Sequence, residues 1–340
     1  MEKASMIGLD IAKNVFEVHG RSAAGAVVLR RRLKRGQVEK FFAGHPKAVI
    51  GLEACGSSHH LGRLLEQLGH EVRLMPPSYV KPYVKRNKND ANDAAACCEA
   101  MSRPGMRFVR VKTVEQQASL SLHRSRDLLV RQRTQLGNAL RSLLSEFGIV
   151  AAQGREGLAK LTMDLRAGAL DLPQAARAAA IALADQRANL EPAIKDLERR
   201  IGEQAKAEPR ARMLQTAPGV GPMTAHATLA TMPDPAMFTS GRDFAAWIGL
   251  TPRESSSGGK QRLGPITKRG DKTLRRLLVL GATAWLRQVK RRPEKASPWL
   301  RGMMARRPKK VVAVAQAART ARILWAMLTH NQPYRAPAAG

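Results

Sequence analysis

Aromatic residues make up only 4% of the 340-residue chain, cysteines number three, and 27 acidic residues face 58 basic ones. With so few rings, any core must be built mainly from aliphatic side chains. Cys55, Cys97 and Cys98 offer neither an even disulfide framework nor a paired zinc-ligand spacing, which excludes a disulfide-stapled secreted scaffold and fits a reducing cytosol. Charges at Glu2, Lys3 and Asp10 interrupt the first residues, and no uncharged apolar run approaches the roughly 18 residues that span a bilayer. A cytoplasmic protein with no membrane partner is expected.

What the chain does have is a formal net charge of +31 at 44% hydrophobic content. That combination describes a folded protein that seeks a polyanion. Residues 1–112 carry 20 basic and 10 acidic side chains, residues 113–208 carry 14 and 12, and residues 209–340 carry 24 and 5. The division predicts three regions, with the charged ends touching nucleic acid and the nearly neutral middle touching protein.

The middle reads as long helices. Thr113 to Phe147 lacks proline and spaces Leu122, Leu129, Leu136, Leu140, Leu143 and Leu144 helically, with Gly148 as a stop; Leu172 to Ala207 carries a similar stripe, with Pro192 as a kink or break. A hairpin or coiled coil used for oligomerisation is expected, and an intramolecular helical bundle is the alternative.

The first region has the period of strands. Ser5–Ile11, Val15–Gly20 and Val27–Arg32 read as three antiparallel strands, followed by a helix at Val38–Ala43, a strand at Ala48–Leu52, a helix at His59–Leu68 and a strand at Val72–Met75. That order is the order of a ribonuclease H-like α/β domain. Asp10 sits among the apolar residues of the first strand, where an unpaired charge costs several kcal/mol. Glu53 ends the fourth strand, and Asp90 and Asp93 lie three apart at a helix start, hence on one face. Four carboxylates so placed suit two hard divalent ions, Mg2+ or Mn2+, with open positions, as phosphodiester chemistry needs. A solvated edge aspartate and a helix cap are the alternatives for the individual residues. Cys97 and Cys98 read as small packing residues. Lys81, Lys85, Arg86 and Lys88, interleaved with Tyr79 and Tyr83, read as a strip that contacts a nucleic-acid backbone, or as a solvated loop.

In the last region, Leu214 to Ala225 reads as helix, glycine hairpin, helix, in which Gly219 and Gly221 leave backbone N–H groups free for a phosphate. Ser255, Ser256 and Ser257 then precede Gly258 and Gly259, and seven basic residues against one acid follow as far as Arg276, including Lys260, Arg262, Lys268, Arg269 and Arg275. A serine here could attack a phosphodiester with guanidinium support. A flexible Gly/Ser loop that binds phosphate without chemistry is the alternative. Leu277–Leu286 and Val311–Leu328 read as packing helices, and Arg287–Lys310 as a basic connector.

The Asp10 strand I-G-L-D-I-A-K, Glu53 in G-L-E-A, the D-A-N-D-A helix, the P-G-V-G hairpin and the G-L-T-P…S-S-G-G-K…G-D-K-T-L-R-R-L-L segment together resemble the DEDD transposases of a large bacterial insertion-sequence family, related to the pilin-gene invertase. The resemblance spans essentially the whole chain. It implies a RuvC-like catalytic domain at 1–112 with Asp10, Glu53, Asp90 and Asp93 as the metal-binding set. It further implies a coiled-coil region at 113–208 and a mainly helical transposase domain at 209–340 with a nucleophilic serine, matched to Ser257 with Ser256 next in register. Donor and target DNA, a structured non-coding bridge RNA as guide, and a homodimer or tetramer with a composite site are the implied partners. Arg253, Lys260, Arg262, Lys268, Arg269, Arg275 and Arg276 are the expected phosphate contacts. A hydrolytic junction nuclease and a non-enzymatic nucleic-acid-binding protein are the rival expectations.

Overall fold

The structure is a computed structural model that describes residues 3–85, 89–232 and 234–336. The chain divides into two compact units, Met1–Val114 and Glu115–Gly340.

The first unit is a five-stranded mixed sheet covered on both faces. Strands β1 (Met6–Ile11), β2 (Val15–Arg21) and β3 (Val27–Lys34) form an antiparallel meander. Helix α1 (Val38–Ala43) leads to β4 (Val49–Glu53), helix α2 (Ser58–Gln67) to β5 (Glu71–Met75), and the short α3 (Pro77–Val80) precedes α4 (Asp90–Met101). The strand order is β3-β2-β1-β4-β5, with β4 parallel to both β1 and β5. Expected and observed elements agree in order, and the ends differ by one or two residues. The first and fourth strands start at Met6 and Val49, and hydrogen bonding carries β3 on to Lys34.

Alternation along the strands separates two cores. Ile7, Leu9, Phe16, Val18, Ile50 and Leu52 face α1 and α2, where Phe42 and Leu65 fill the layer. On the opposite face Cys97, Cys98, Ala100 and Met101 of α4 pack with Met75 and Val80. The buried cysteines therefore act as small apolar side chains, as expected.

The second unit is almost wholly helical. Helices α5 (Val114–Ser145), α6 (Gly154–Arg166) and α7 (Gln174–Ala207) come first. Ion pairs Arg126–Glu198 at 2.5 Å and Arg133–Glu191 at 3.1 Å fix α5 antiparallel to α7. Sequence reasoning did not anticipate α6, although Leu158, Leu161 and Leu165 form its buried stripe. Those leucines pack with Leu140 and Leu144 of α5 and Ala180 and Ala184 of α7. Leu140, Leu143 and Leu144 of the first stripe thus find partners within the chain, as in the bundle alternative, and α7 runs through Pro192 without a break.

Helices α8 (Pro209–Leu214), α9 (Pro222–Thr231) and α10 (Gly241–Ile248) follow, then the hairpin β6 (Pro252–Glu254) and β7 (Leu263–Ile266), and finally α11 (Lys272–Arg291), α12 (Pro298–Arg306) and α13 (Lys309–His330). The expected connector at 287–310 is therefore mostly helix. Ser297 caps α12 by accepting from the Leu300 N–H, and Leu300 anchors it in a small core with Val289 and Val312. By length and composition α13 alone among the described helices could cross a membrane, but Ala317, Ala321 and Leu324 bury it in the core of this unit.

His123 of α5 and His226 of α9 are both buried, with Nε2 and Nδ1 2.9 Å apart. Burial, then His226 and Arg126, depress the pKa of His123 to about 4. The unfolded chain binds a proton there more readily than the folded one, so stability is complete above about pH 6.5 and falls as pH drops toward 4. Thermal melts of His123→Leu/His226→Leu should lack an acid-side loss on the order of 3 kcal/mol that the native protein shows over this range. Identical pH profiles would remove the histidine pair as its cause.

Candidate metal centre and serine hairpin

The carboxylates are brought together by what β1 omits. Asp10 points to the same face as Gly8, and a Cβ on Gly8 would lie 2.0 Å from the Ala94 carbonyl oxygen and 2.5 Å from the Cys98 nitrogen. Gly51 stands beside Gly8 in the parallel register, and a Cβ there would meet the Met101 sulfur at 2.7 Å. Helix α4 thus lies directly on the backbones of β1 and β4, a proximity that only glycine permits. Asn89 sets the start of the helix, its side chain accepting from the Asn92 N–H at 2.7 Å. Asp90 and Asp93 fall in the first turn, where the helix dipole favours negative charge.

Ligand oxygens of Asp10, Asp90 and Asp93 all lie within 4.8 Å of one another, with Asp90 exposed and the other two half-buried. Glu53, the fourth expected member, ends β4 and stands outside that tight set, although its charge reaches Asp10. Burial raises the Asp10 pKa to about 6, and the charges of Asp93, Asp90 and Glu53 push the same way against the Ile11 N–H. Three hard oxygen donors with mutual repulsion and open directions are the donor set a Mg2+- or Mn2+-type cation accepts. Cys97 is close by, but burial drives its thiol far above the range in which a thiolate ligates.

In the second unit the serine segment is a built hairpin, not the flexible loop expected from its Gly/Ser content. Ser255 N–H donates to the Arg262 carbonyl at 3.0 Å, and Ser257 pairs with Lys260 across Gly258 and Gly259, whose φ values are +57° and +73°. Two successive positive φ angles define the tight turn that matches strand twist. Ser256 Oγ donates to Glu254 at 2.8 Å and accepts from the Arg262 N–H at 3.1 Å. Ser257 is exposed at the tip, and its hydroxyl makes no hydrogen bond among the described residues.

The expected phosphate contacts divide. Arg253, Lys260, Arg262, Lys268 and Arg269 are exposed around the hairpin. Arg275 instead donates to the carbonyls of Ile248 at 2.6 Å and Arg269 at 2.7 Å, and Arg276 is paired with Asp127 of α5. Both support the fold. Lys85 is exposed in the first unit, whereas Arg86 and Lys88 lie outside the described residues. Between α8 and α9, Gly221 caps α9, while Gly219, at φ +75°, faces α11 so closely that a Cβ would be 2.7 Å from the Gly281 carbonyl oxygen. Gly219 thus serves helix packing as well as the turn. The residues sequence reasoning missed are Gly8 and Gly51; a glycine within an otherwise apolar strand was the available signal.

Asp10→Asn should stabilise the metal-free protein by roughly 1–3 kcal/mol at pH 7.5. Because the folded carboxyl holds its proton up to about pH 6, the cost of ionising it is present above that pH and vanishes toward the unfolded value near 4. The gain should therefore fade on acidification. Mn2+ should raise the melting temperature of the native chain and leave that of Asp10→Asn unchanged. A destabilised variant, or an equal Mn2+ effect on both, would contradict this electrostatic picture.

Comparison with known proteins identifies the family. A DEDD transposase family model of the IS110 type matches residues 7–149, and the Transposase IS116/IS110/IS902 family model matches residues 211–297. The chain is 48% identical over 336 residues to a putative transposase of Sinorhizobium fredii, covering 98% of this chain and 87% of the relative. A probable family 20 transposase of Pseudomonas aeruginosa is 48% identical, over 97% of this chain and 98% of its own. The transposase for insertion sequence element IS1111A of Coxiella burnetii is 41% identical, with 98% and 92% covered. The chain belongs to the IS110/IS116 family of DEDD insertion-sequence transposases, enzymes that cleave and recombine DNA.

Proposed function

We propose that this transposase moves its insertion sequence by divalent-metal-dependent strand exchange through a phosphoserine intermediate on Ser257, guided by a structured RNA from its own element. The observation that carries the reading is the convergence of Asp10, Asp90 and Asp93 within 4.8 Å on a half-buried sheet face. A Mg2+ or Mn2+ ion held there, with Glu53 as a further donor, would supply Lewis acidity at the scissile phosphate.

The chain's own groups do the rest. Ser257 Oγ attacks phosphorus while the bond from phosphorus to the leaving deoxyribose oxygen breaks; the serine proton is released and the leaving oxygen is protonated. The hydroxyl of the incoming strand then attacks the phosphoserine, re-forming a phosphodiester and returning the serine. Because no bond is lost to water, the energy of the original linkage is conserved. Supporting the assignment within the serine run, the Ser256 hydroxyl is held by Glu254 and Arg262, and that of Ser257 is not. Arg253, Lys260, Arg262 and Lys268 are placed around the hairpin to neutralise phosphate charge during the attack.

RNA guidance, the relation to the pilin-gene invertase, and a dimer or tetramer that assembles carboxylates and serine on one phosphate complete the reading. So do the three-region division into RuvC-like, helical oligomerisation and transposase domains, and a cytoplasmic location on bacterial DNA. The net charge of +31 supports a large nucleic-acid partner.

On a suicide DNA substrate, denaturing gels should show DNA covalently attached to the wild-type protein and to Ser256→Ala, and none attached to Ser257→Ala, whose fold persists because an exposed hydroxyl contributes little to stability. Strand cutting without an adduct in any of the three would establish the hydrolytic junction nuclease instead.

A further inference from the structure

At the antiparallel end of the first unit, β2, β3 and α4 enclose a cavity of about 530 Å³ that the reaction above does not use. His19 and Arg21 of β2 form its floor, Arg30 of β3 and Lys85 its mouth, and Ala91 and Ala95 of α4 a smooth wall. His19 is 7% exposed, and its Nε2 is fully buried with no hydrogen-bond partner among the described residues. Native interiors rarely leave such an atom unsatisfied, and because His19 lines the cavity a small turn of its ring would present Nε2 to a ligand there. Arg21 Nε is unsatisfied in the same way, although the Arg21 guanidinium holds Glu99 at 2.5 Å.

The charges in the cavity are unequal. Its two acids are already occupied, Glu17 by Arg32 and Glu99 by both Arg21 and Arg103. Arg30 and Lys85 are exposed and have no carboxylate partner among the described residues. Burial lowers the pKa of His19, and Arg21, Arg30 and Lys85 lower it further, so all three cations act on one imidazole, which stays neutral and able to donate or accept. A flat apolar wall, a neutral hydrogen-bonding floor and a cationic mouth match the three parts of a nucleotide: base, polar base edge and phosphate. A duplex presents its bases stacked and paired, and only an unpaired nucleotide can enter a recess of this kind.

We propose that this cavity binds one unpaired nucleotide of a nucleic-acid strand, with its phosphate on Arg30 and Lys85 and its base against α4 over His19. Ala91 and Asn92, which line the cavity, lie between Asp90 and Asp93 in the first turn of α4, and Glu17 at its edge is the cross-strand neighbour of Asp10, so the recess adjoins the carboxylates on one face of the sheet. Paired strands stand about 5 Å apart and a nucleic-acid strand advances roughly 3.4 Å per nucleotide, so a single strand spans both. The site would thus hold the strand whose phosphodiester the carboxylates engage, a role that rests on the proposed function; the binding itself does not.

The test uses the full-length protein in EDTA and fluorescence anisotropy with labelled single-stranded DNA and single-stranded RNA of one sequence. Arg30→Ser/Lys85→Ser should weaken binding of at least one strand type by tenfold or more, while Lys40→Ser/Lys47→Ser, which removes the same charge from exposed positions near α1 on the other face of the sheet, changes it less than threefold. His19→Leu should weaken the same strand type, and if that variant fails to fold, the exposed pair still decides. Unchanged affinity for both strands, or an equal loss in the two double variants, overturns the site. Intact binding that depends on Arg30 and Lys85, without any strand cleavage by the wild type when Mn2+ is added, would reject the proposed reaction and leave the nucleotide site standing.

Discussion

The absence of two side chains, at Gly8 and Gly51, governs the amino-terminal unit. It lets α4 rest on the backbones of β1 and β4, so that even a methyl group at Gly8 would overlap the Ala94 carbonyl. The residues that α4 turns to the sheet are correspondingly small or pliable: Ala94, Cys97, Cys98 and Met101. Packing of this closeness fixes the helix in rotation and height. It holds Asp90 and Asp93 against Asp10, an arrangement that mutual repulsion alone would open. The raised pKa of Asp10 reflects its burial first and the neighbouring carboxylates second, and a bound cation would offset both.

The carboxy-terminal unit positions its chemistry by a different device. A two-glycine turn stiffens what composition suggests is a loose loop, and the Glu254–Ser256–Arg262 bonds tie one serine into the hairpin while leaving its neighbour at the tip. Beneath the hairpin, Arg275 spans the carbonyls of Ile248 and Arg269, which docks the end of α10 onto the start of α11. The excess charge of this unit is therefore of two kinds. Some guanidinium groups are structural, and those around the hairpin face solvent, available to phosphate.

Much of the amino-terminal fold is legible in the sequence because the strands are short apolar or β-branched runs bounded by turn residues and the acids interrupt those runs. Asp10 between Leu9 and Ile11, and the Asn89 cap ahead of Asp90, are local signals with local causes. The parts that escaped depend on partners distant in the chain. The clash a Cβ at Gly8 would have with Ala94 links residues 86 positions apart. Likewise α6 is stabilised by leucines of α5 and alanines of α7, and the role of Arg276 is set by Asp127. The His19 recess escaped for the same reason, since β2, β3 and α4 each supply part of it. Glu53 is the instructive intermediate: its register at the end of β4 was readable, but its position outside the three-carboxylate set was not.

Anomalous diffraction from crystals of the full-length protein soaked in Mn2+ tests most directly whether the α4-on-glycine packing exists to build a metal centre. A Mn2+ peak bounded by carboxylate oxygens of Asp10, Asp90 and Asp93 in the wild type, and its loss in Gly8→Ala with the sheet otherwise intact, is the predicted result. A peak bound elsewhere, or one that persists unchanged in Gly8→Ala, would contradict it.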